Sequence, residues 1–216
     1  MCTSNDGTRA GAMTWQELFE KCTMIELTDS VLARCNSYSC GDVDLDEFFA
    51  KDALLYRSKL LGKTYLFCLK DAPNTIVTAL SLSNDSIRIT NRLADEYKDQ
   101  FLENAELRDK TIKRFPGVLI GRLGTNQDFA GQGYGSAVMD FIKVFFRTES
   151  YTGCRFLIVD AMNNPDTLHY YEKNGFKYLI EDEKLEAKYV GIGMGHLPLN
   201  TRLMYFDLLN LNVEDD

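Results

Sequence analysis

The sequence has little of what a protein metal site needs. It contains two histidines, and its six cysteines form no C-x-x-C pair, so a zinc site is not expected. Several cysteines stand in apolar surroundings, such as Cys68 in "YLFCL", where a buried free thiol is typical. This cysteine usage favours a reducing compartment, so we predict a cytoplasmic protein that uses no metal.

Long apolar runs and an excess of basic residues are also missing. No stretch reaches the length of a membrane span, and the N-terminus lacks the basic-then-apolar pattern of a secretory signal. The chain carries 32 acidic and 24 basic residues, a formal net charge of −8. Because neutralising phosphates requires clustered Lys and Arg, this balance argues against broad nucleic-acid binding, although it leaves room for a local basic pocket. We therefore expect neither a membrane nor a nucleic acid as partner.

The chain is long enough to bury a substantial hydrophobic core. Its 216 residues, 45% of them hydrophobic, fit one large domain. We predict a loose tail over residues 1–13, a single domain over 14–211 and an acidic tail over 212–216. Within the domain, the charged stretch 84–114 is interpreted as a helical excursion on the surface, and the glycine-rich stretch 181–200 as a long loop.

The most informative stretch is "FAGQGYGSAVMDF", Phe129–Phe141, which has three glycines directly before an apolar-periodic segment. It follows the strand-like "GVLIGRLGT" and precedes the apolar "CRFLIVDA", an arrangement that predicts a β-α-β crossover with a glycine loop at the helix start. Backbone N–H groups at a helix start have no partner within the helix, and glycines allow positive φ and close approach. Together these properties suit an anion.

Three interpretations compete for this loop: a flexible turn, a nucleotide phosphate loop and a cradle for another anion. The dinucleotide fingerprint needs G-x-G-x-x-G, whereas the chain has G-x-G-x-G. The phosphate loop of NTPases needs Gly-Lys-Ser/Thr, but Gly135 precedes Ser136 without a lysine. These spacings weaken both nucleotide interpretations, and a turn that binds nothing stays open for the loop taken alone.

The loop and its surroundings resemble the GNAT superfamily of acyl-CoA N-acyltransferases. The family loop reads Arg/Gln-x-x-Gly-x-Gly/Ala, and this chain offers Ala130-Gly131-Gln132-Gly133-Tyr134-Gly135, with alanine in the first place. Both required glycines fit this pattern. The opening "LTDSVLARCNSYSCGDVDLDEFF" also resembles the subgroup that includes the acetyltransferase toxins of toxin–antitoxin systems.

A second motif follows downstream at the spacing of the family. The family often shows Asn-x-x-Ala-x-x-x-Tyr and then Gly-Phe. Here Asn164 and Tyr171 match, Thr167 replaces the alanine, and Gly175-Phe176 follow at the expected distance. The resemblance covers roughly residues 117–180.

The resemblance implies a fold and a co-substrate. The implied fold is α/β (α+β), a mixed, mostly antiparallel sheet of six to seven strands with helices on both faces and a β-α-β crossover at the cofactor site. It implies acetyl-CoA as donor, with pantetheine filling the gap between two splayed strands like an additional strand. The residues expected to bind it are Leu123, Gly124, Thr125, Ala130, Gly131, Gln132, Gly133, Tyr134, Gly135, Ser136 and Asn164.

The implied reaction is direct attack of a primary amine on the thioester. It requires a neutral amine, a backbone N–H for the developing oxyanion and a proton for the departing thiolate. Tyr171 is the candidate proton donor by its match to the family tyrosine, and core packing is its alternative role. Asn164 is a candidate contact to pantetheine, and helix capping is its alternative role. The sequence does not identify the general base.

We therefore predict an enzyme, an acetyl-CoA-dependent N-acetyltransferase that acts on a small-molecule or protein amine. One alternative is a toxin that acetylates the amino acid on charged tRNA, against which the acidic charge balance argues. The other is a non-catalytic acyl-CoA-binding module, which Ala130 favours and Tyr171 opposes. The acceptor amine and the oligomeric state, including a homodimer, are left open.

Overall fold

The computed structural model of the chain describes residues 13–90, 93, 97–98 and 113–211. The chain divides into two compact units, and each unit is built from two separate stretches of the sequence. Unit 1 consists of residues up to Leu80 together with Leu123–Phe141. Unit 2 consists of Ser81–Arg122 and the residues from Ile142 onwards. The prediction of a single domain stays a prediction.

Seven strands form one sheet in the described part of the chain. They are β1 (Cys22–Glu26), β2 (Lys63–Leu69), β3 (Ile76–Arg88), β4 (Arg114–Thr125), β5 (Phe156–Met162), β6 (Lys177–Tyr178) and β7 (Thr201–Asp207). Their order is β1-β2-β3-β4-β5-β7-β6. The pairs β1–β2, β5–β7 and β6–β7 are antiparallel, whereas β4 and β5 are parallel. The predicted mixed, mostly antiparallel sheet is confirmed.

Short helices connect these strands. They are α1 (Trp15–Lys21), α2 (Asp29–Arg34), α3 (Val43–Glu47), α4 (Ala53–Ser58), α5 (Tyr134–Val144), α6 (Pro165–Lys173) and α7 (Glu183–Val190). A π-helical turn, Phe48–Asp52, joins α3 to α4, and a second one, Phe145–Glu149, extends α5. The chain order β4, α5, β5, α6 carries the motifs that the sequence analysis singled out.

The strands β4 and β5 with the intervening α5 form the predicted β-α-β crossover. The parallel register pairs Gly117 with Phe156 and Leu119 with Ile158. A Cβ at Gly117 would lie 2.8 Å from both the Phe156 carbonyl oxygen and Ile158 Cδ1, so a side chain here would force the two strands apart. The parallel pairing confirms the crossover.

Each unit has its own hydrophobic core. Full burial of a Leu, Ile or Phe side chain contributes about 1.5–3 kcal/mol, so each cluster stabilises its own unit. The core of unit 1 contains Leu27, Val31, Phe48, Phe49, Ala53, Leu66, Cys68, Ile76 and Ala79. The core of unit 2 contains Ile87, Leu93, Phe115, Phe156, Ile158, Leu179, Ile180 and Tyr205.

A buried ion pair fixes α7 to β7 in unit 2. The Arg202 Nε donates to Glu186 Oε2 at 2.6 Å, and the Leu203 N–H donates to Glu186 Oε1 at 2.6 Å. The Arg202 guanidinium also donates to the carbonyls of Ile180 and Glu181 at 3.0 Å. Burial raises the pKa of Glu186, although these hydrogen bonds oppose the rise. The ion pair and the Leu203 N–H therefore hold Glu186 of α7 against β7.

Two sequence expectations are wrong. Residues 84–88 continue β3 as a strand and do not begin a helical excursion. The stretch 181–200 is not one loop, because α7 occupies its first half and ends at Gly191, which adopts a φ of +82°. Most of the remaining predicted excursion, and the predicted tails at 1–12 and 212–216, lie outside the described residues.

The cysteines of the described chain are free thiols, and Cys22 and Cys68 are buried. Burial raises the pKa of the Cys68 thiol to about 12, which makes it a weak nucleophile. The buried thiol that "YLFCL" predicts is confirmed, whereas the cytoplasmic location stays a prediction. Within the same described ranges, none of the helices is both long and apolar enough to cross a membrane.

Candidate active site

The glycine loop, Ala130–Gly135, joins β4 to α5 in unit 1. Gly131 and Gly133 have φ angles of +73° and +88°, which residues with side chains rarely adopt. A Cβ at Gly131 would meet no atom within 4 Å, so the space beside it is open. The Ala137 N–H donates to the Gly133 carbonyl at 3.0 Å and starts the helical hydrogen bonds. The backbone therefore requires two of the three glycines, and the positive end of an 11-residue helix lies at this loop.

The side chains of the loop contribute less than its backbone. Ala130 and Gln132 are exposed, and Gln132 Nε2 donates back to the Asp128 carbonyl at 3.0 Å. Tyr134 is buried, and its ring packs edge-on against Phe129 with the centroids 5.7 Å apart. The Tyr134 side chain is therefore part of the packed core beside the loop. Two further predicted binding residues, Gly135 and Ser136, lie in the first turn of α5.

The last three residues of β4, which the sequence predicts to bind pantetheine, also lie in unit 1. A Cβ at Gly124 would lie 2.6 Å from Tyr38 Oη and 3.0 Å from Cys40 Sγ, so glycine is required by close packing. The hydroxyl oxygens of Thr125 and Thr78 lie 3.4 Å apart. The end of β4 is therefore packed against Tyr38, Cys40 and Thr78, which lie far from the glycine loop in the sequence.

An enclosed phenol with no hydrogen-bond partner lies beside Gly124. The Tyr38 hydroxyl makes no hydrogen bond in the described chain, although the Cys40 thiol and the Ala79 main chain are close to it. The Tyr38 ring packs at 90° against Phe49, with the centroids 5.8 Å apart. Burial raises the pKa of Tyr38 well above its usual range, so the group stays a neutral phenol. Its missing hydrogen bond costs about 1–3 kcal/mol of stability.

The parallel ladder of the crossover is short, and this is the main feature of unit 2. In the described residues it consists of three pairs, the last of which joins Leu119 to Ile158. Both strands continue beyond this pair, and β5 stays paired with β7 as far as Met162. From Val159 onwards, the edge of β5 that faces β4 therefore has no strand partner among the described residues. Such an edge can hydrogen-bond an extended ligand as if it were another strand.

The exposed residue Asn164 follows β5 and caps α6. Its side-chain oxygen accepts from the Thr167 N–H at 2.9 Å, and Pro165 is the first helical residue. The capping role that the sequence analysis kept open is therefore present. The cap uses one of the two lone pairs of Oδ1, so the Nδ2 group and the second lone pair stay available for the predicted contact of Asn164 to pantetheine.

Tyr171 lies on α6 and is 9% exposed. Its ring packs against Tyr170 and Phe176, with centroid distances of 5.2 and 5.4 Å. Among the described residues no hydrogen bond involves its hydroxyl, which leaves the O–H for a ligand. Burial raises the pKa of Tyr171 to about 12, so the phenol keeps its proton near neutral pH. The side chain is packed as a core residue and protonated as an acid needs to be.

Two site features escaped the sequence analysis. Tyr38 belongs to the irregular segment before α3 and meets Gly124 across a large sequence separation, so no local pattern reveals the contact. Asp160 on β5 lies just past the last parallel pair, and nothing in "CRFLIVDA" distinguishes it from a strand residue facing solvent. In the described part of the chain, His, Cys, Asp and Glu form no group of three that could hold a metal ion.

The comparison with family models agrees with these features. Residues 96–178 match the model described as the acetyltransferase (GNAT) domain. The match includes the crossover, the glycine loop, Asn164 and Tyr171. No curated protein matches the sequence closely enough to count as a relative.

Structures of AtaT and KacT are among the solved structures with a similar fold. The AtaTR complex bound to acetyl-CoA has a TM-score of 0.62 and 19% identity, and the alignment covers 88% of this chain and 95% of that one. AtaT complexed with acetyl-methionyl-tRNA has a TM-score of 0.61 and 19% identity, with coverage of 86% and 94%. A tyrosine-to-phenylalanine variant of KacT has a TM-score of 0.60 and 17% identity, with coverage of 88% and 96%. Residues 96–178 therefore match a GNAT acetyltransferase domain model, and the chain shares its fold with AtaT and KacT.

Proposed function

We propose that this chain is an N-acetyltransferase that moves an acetyl group from acetyl-CoA to a primary amine. The observation that carries the proposal is the early opening of the β4–β5 ladder, three pairs after it begins, inside the GNAT domain. A pantetheine arm needs main-chain partners along its amide groups, and the unpaired edge of β5 supplies them. Acetyl-CoA is bound in the similar AtaTR complex, which supports acetyl-CoA as the donor here.

The glycine loop of unit 1 fits the pyrophosphate of such a donor. Its two positive-φ glycines and the open space at Gly131 allow a phosphate to approach the backbone closely. The N-terminal end of α5 adds a positive dipole end. Ala130 has no polar side chain, so in this proposal the main chain provides the contacts of the loop.

Tyr171 is the proposed donor of a proton to the departing sulfur. It is neutral at physiological pH, since burial raises its pKa to about 12, and its hydroxyl has no other partner in the described chain. A thiol titrates near pKa 8.5, so the phenol of Tyr171 is a weaker acid than the thiol it would form. Tyr171 would therefore act by a hydrogen bond that strengthens as charge develops on sulfur. The proton that it gives to the sulfur would be replaced by the proton that the nitrogen loses.

A second candidate function is acetylation of the amino acid on a charged tRNA, which is the toxin alternative that the sequence analysis left open. The observation that favours it is the fold shared with AtaT, which has been captured with acetyl-methionyl-tRNA. The net charge of −8 works against it, because a tRNA-binding face is expected to be basic. At 19% identity the likeness supports the fold and does not choose between the acceptors.

The experiment that tests the proposal follows release of CoA from acetyl-CoA with a panel of acceptors. The panel contains small primary amines, lysine peptides and charged tRNAs. We expect turnover with at least one amine class and none with the corresponding alcohols, because the attacking atom must be a neutral amine nitrogen. Binding of acetyl-CoA without turnover of any acceptor would support a non-catalytic binding module instead.

A further inference from the structure

A cavity in unit 2 opens next to the unpaired part of β5. Its volume is about 620 Å³, within the range of small-molecule sites. The lining comes from β3 and the residues just beyond it, from β5, from α7 and from β7. Its polar members in the described chain are Asp85, Ser86, Arg88, Thr90, Asp160 and Tyr189. We call this space the acceptor cavity. Its lining combines the apolar side chains of Ile87, Ile158, Val190 and Leu203 with polar groups from separate elements.

The walls of the acceptor cavity are fixed by hydrogen bonds. The Tyr189 hydroxyl of α7 donates to the Arg88 carbonyl at 3.0 Å and accepts from the Arg88 N–H at 3.3 Å, which ties α7 to β3. Asp160 lies opposite Leu203 in the β5–β7 ladder, so pairing with β7 fixes the position of its backbone. The cavity is therefore a built feature of unit 2, with Asp160 on a regular strand.

Asp160 has the surroundings of a proton acceptor. It is the second residue after the last β4–β5 pair, at the opening of the two strands. Partial burial raises the pKa of its carboxyl, the negative charge of Asp85 raises it further, and the positive charge of Arg122 on β4 opposes both. Among the described residues, the other charged or titratable groups that line the cavity are Arg88 on β3 and Tyr189 on α7. A carboxylate placed beside a second carboxylate attracts a cation and accepts a proton from it more readily.

We propose that the acceptor cavity binds a positively charged primary amine and that Asp160 is the general base that deprotonates it. This inference rests on the proposed acetyltransferase function and assigns the proton acceptor and the acceptor class of that reaction. Asp85 contributes the second negative charge that holds the ammonium. The chain's net charge of −8 favours the approach of a cation.

Every proton that moves in this acetyl transfer has a donor and an acceptor. Asp160 takes one proton from the ammonium and leaves a neutral nitrogen with a free lone pair. The nitrogen bonds to the thioester carbonyl carbon, the carbon–sulfur bond breaks, and Tyr171 gives its proton to the leaving sulfur. The second proton lost by the nitrogen returns through water to Tyr171, and Asp160 releases its proton to solvent through the open cavity. The products are the amide, the free thiol and one proton.

The test compares Asp160→Asn, Asp85→Asn and the control Asp71→Asn, an exposed residue in the β2–β3 connection. The probes are propylamine, 1,4-diaminobutane and methionine methyl ester, with acetyl-CoA as donor. Asp160→Asn should lower kcat by roughly 10²–10⁴ while the Kd for acetyl-CoA, from calorimetry, stays at the parental value. Its residual rate should rise with pH up to the pKa of the free amine, because only amine that is already neutral can react.

Asp85→Asn gives a signature that a structural role would not produce. The charge of Asp85 raises the pKa of Asp160, so its removal should move the acidic limb of the kcat/KM profile to lower pH and raise KM for the cationic probes. In the parent, amine addition should shift the ¹³C signal of the Asp160 carboxyl even without acetyl-CoA. Asp71→Asn should match the parent in every measurement.

Two results would overturn the assignment of Asp160. One is an Asp160→Asn variant with the parental kcat and pH profile. The other is the absence of any ¹³C shift at Asp160 with all three amines. Failure of acetyl-CoA to bind the parent protein is a different outcome, because it would contradict the proposed function and leave amine binding at Asp160 to be read from the ¹³C titration.

Discussion

The glycine loop of unit 1 and the acceptor cavity of unit 2 are two different kinds of site in one chain. The loop depends on backbone conformation: Gly131 and Gly133 adopt positive φ, and Gln132 turns its side chain back onto the loop. The cavity depends on side chains, such as Asp160 and Tyr189, that separate strands and a helix bring together. The comparison teaches that the loop should tolerate side-chain changes outside its glycines, whereas the cavity should be sensitive to single charges.

The largest expected effect is the loss of CoA binding in Gly133→Glu. The substitution puts a side chain at a φ of +88° and a negative charge where the proposed pyrophosphate meets backbone N–H groups. The strain alone costs roughly 1–2 kcal/mol, so the variant should still fold. Calorimetry with CoA should show no heat, while the melting curve stays cooperative.

Gly153→Glu is the matched control for that variant. Gly153 has no positive φ, and a Cβ there would meet no atom within 4 Å. The control should bind CoA with the parental Kd. Parental affinity in Gly133→Glu would show that the loop is an ordinary turn, and the contrast between a backbone site and a side-chain site would disappear.

The next effect concerns the support of the acceptor cavity. Glu186→Ala leaves the Arg202 guanidinium buried without its carboxylate partner, and breaking such a pair costs about 3–5 kcal/mol. Urea unfolding should show this loss, whereas Lys188→Ala on the exposed face of α7 should change stability by less than about 0.5 kcal/mol. Equal stability of the two variants would mean that α7 is not anchored by this pair.

Tyr171→Phe tests whether a buried phenol on α6 takes part in the chemistry. The change removes one oxygen and keeps the ring contacts, so stability should hardly change. A positioned acid contributes roughly 10²–10⁴ in rate, and we expect the lower end because a thiolate is already a fair leaving group. Both kcat and kcat/KM should fall together, as they do when an interaction exists only in the transition state.

Tyr170→Phe is the control for Tyr171→Phe, because adjacent helix residues point about 100° apart. It should keep near-parental turnover. A more reactive thioester donor should also reduce the defect of Tyr171→Phe, since its thiolate needs less help. Damage in Tyr170→Phe with normal turnover in Tyr171→Phe would reverse the assignment of the two tyrosines.

The smallest effect is expected at the end of β4. Gly124→Ala would place a methyl group 2.6 Å from the Tyr38 hydroxyl, and such overpacking costs about 1–3 kcal/mol. Tyr38→Phe removes a buried hydroxyl that has no partner, so by itself it should leave stability unchanged or raise it. Combining both changes should recover part of the loss, as thermal unfolding of the four proteins can show. Strict additivity would mean that the two groups do not meet.

The same contrast explains how much the sequence could predict. The crossover and the two glycine conformations were predictable, because spacing, flanking apolar strands and the demand for positive φ are local properties. The capping role of Asn164 was predictable as an alternative, since Asn before Pro at a helix start is a local signal. The contributions of the loop residues and Tyr171 to binding and catalysis stay predictions.

Other features depend on contacts between residues far apart in the sequence. "EKLEAKYV" has a weak apolar stripe and is followed by several glycines, so its sequence predicts a loop, whereas the structure has a helix, α7, anchored to β7 by the Glu186–Arg202 pair. The strand over 84–88 was missed because its charged and polar residues resemble a surface segment. Asp160 and Tyr38 acquire their surroundings from other elements, and no local pattern contains that information.

The most direct test of the central claim is ligand-dependent stability with three ligands at equal concentration: acetyl-CoA, NADH and ATP. A ligand that binds only the folded state stabilises it by about 2.7 kcal/mol at a concentration a hundredfold above its Kd. The account predicts a clear rise in melting temperature and a measurable heat of binding with acetyl-CoA, and much smaller changes with NADH and ATP. No shift and no heat with acetyl-CoA, or an equal shift with all three ligands, would contradict it.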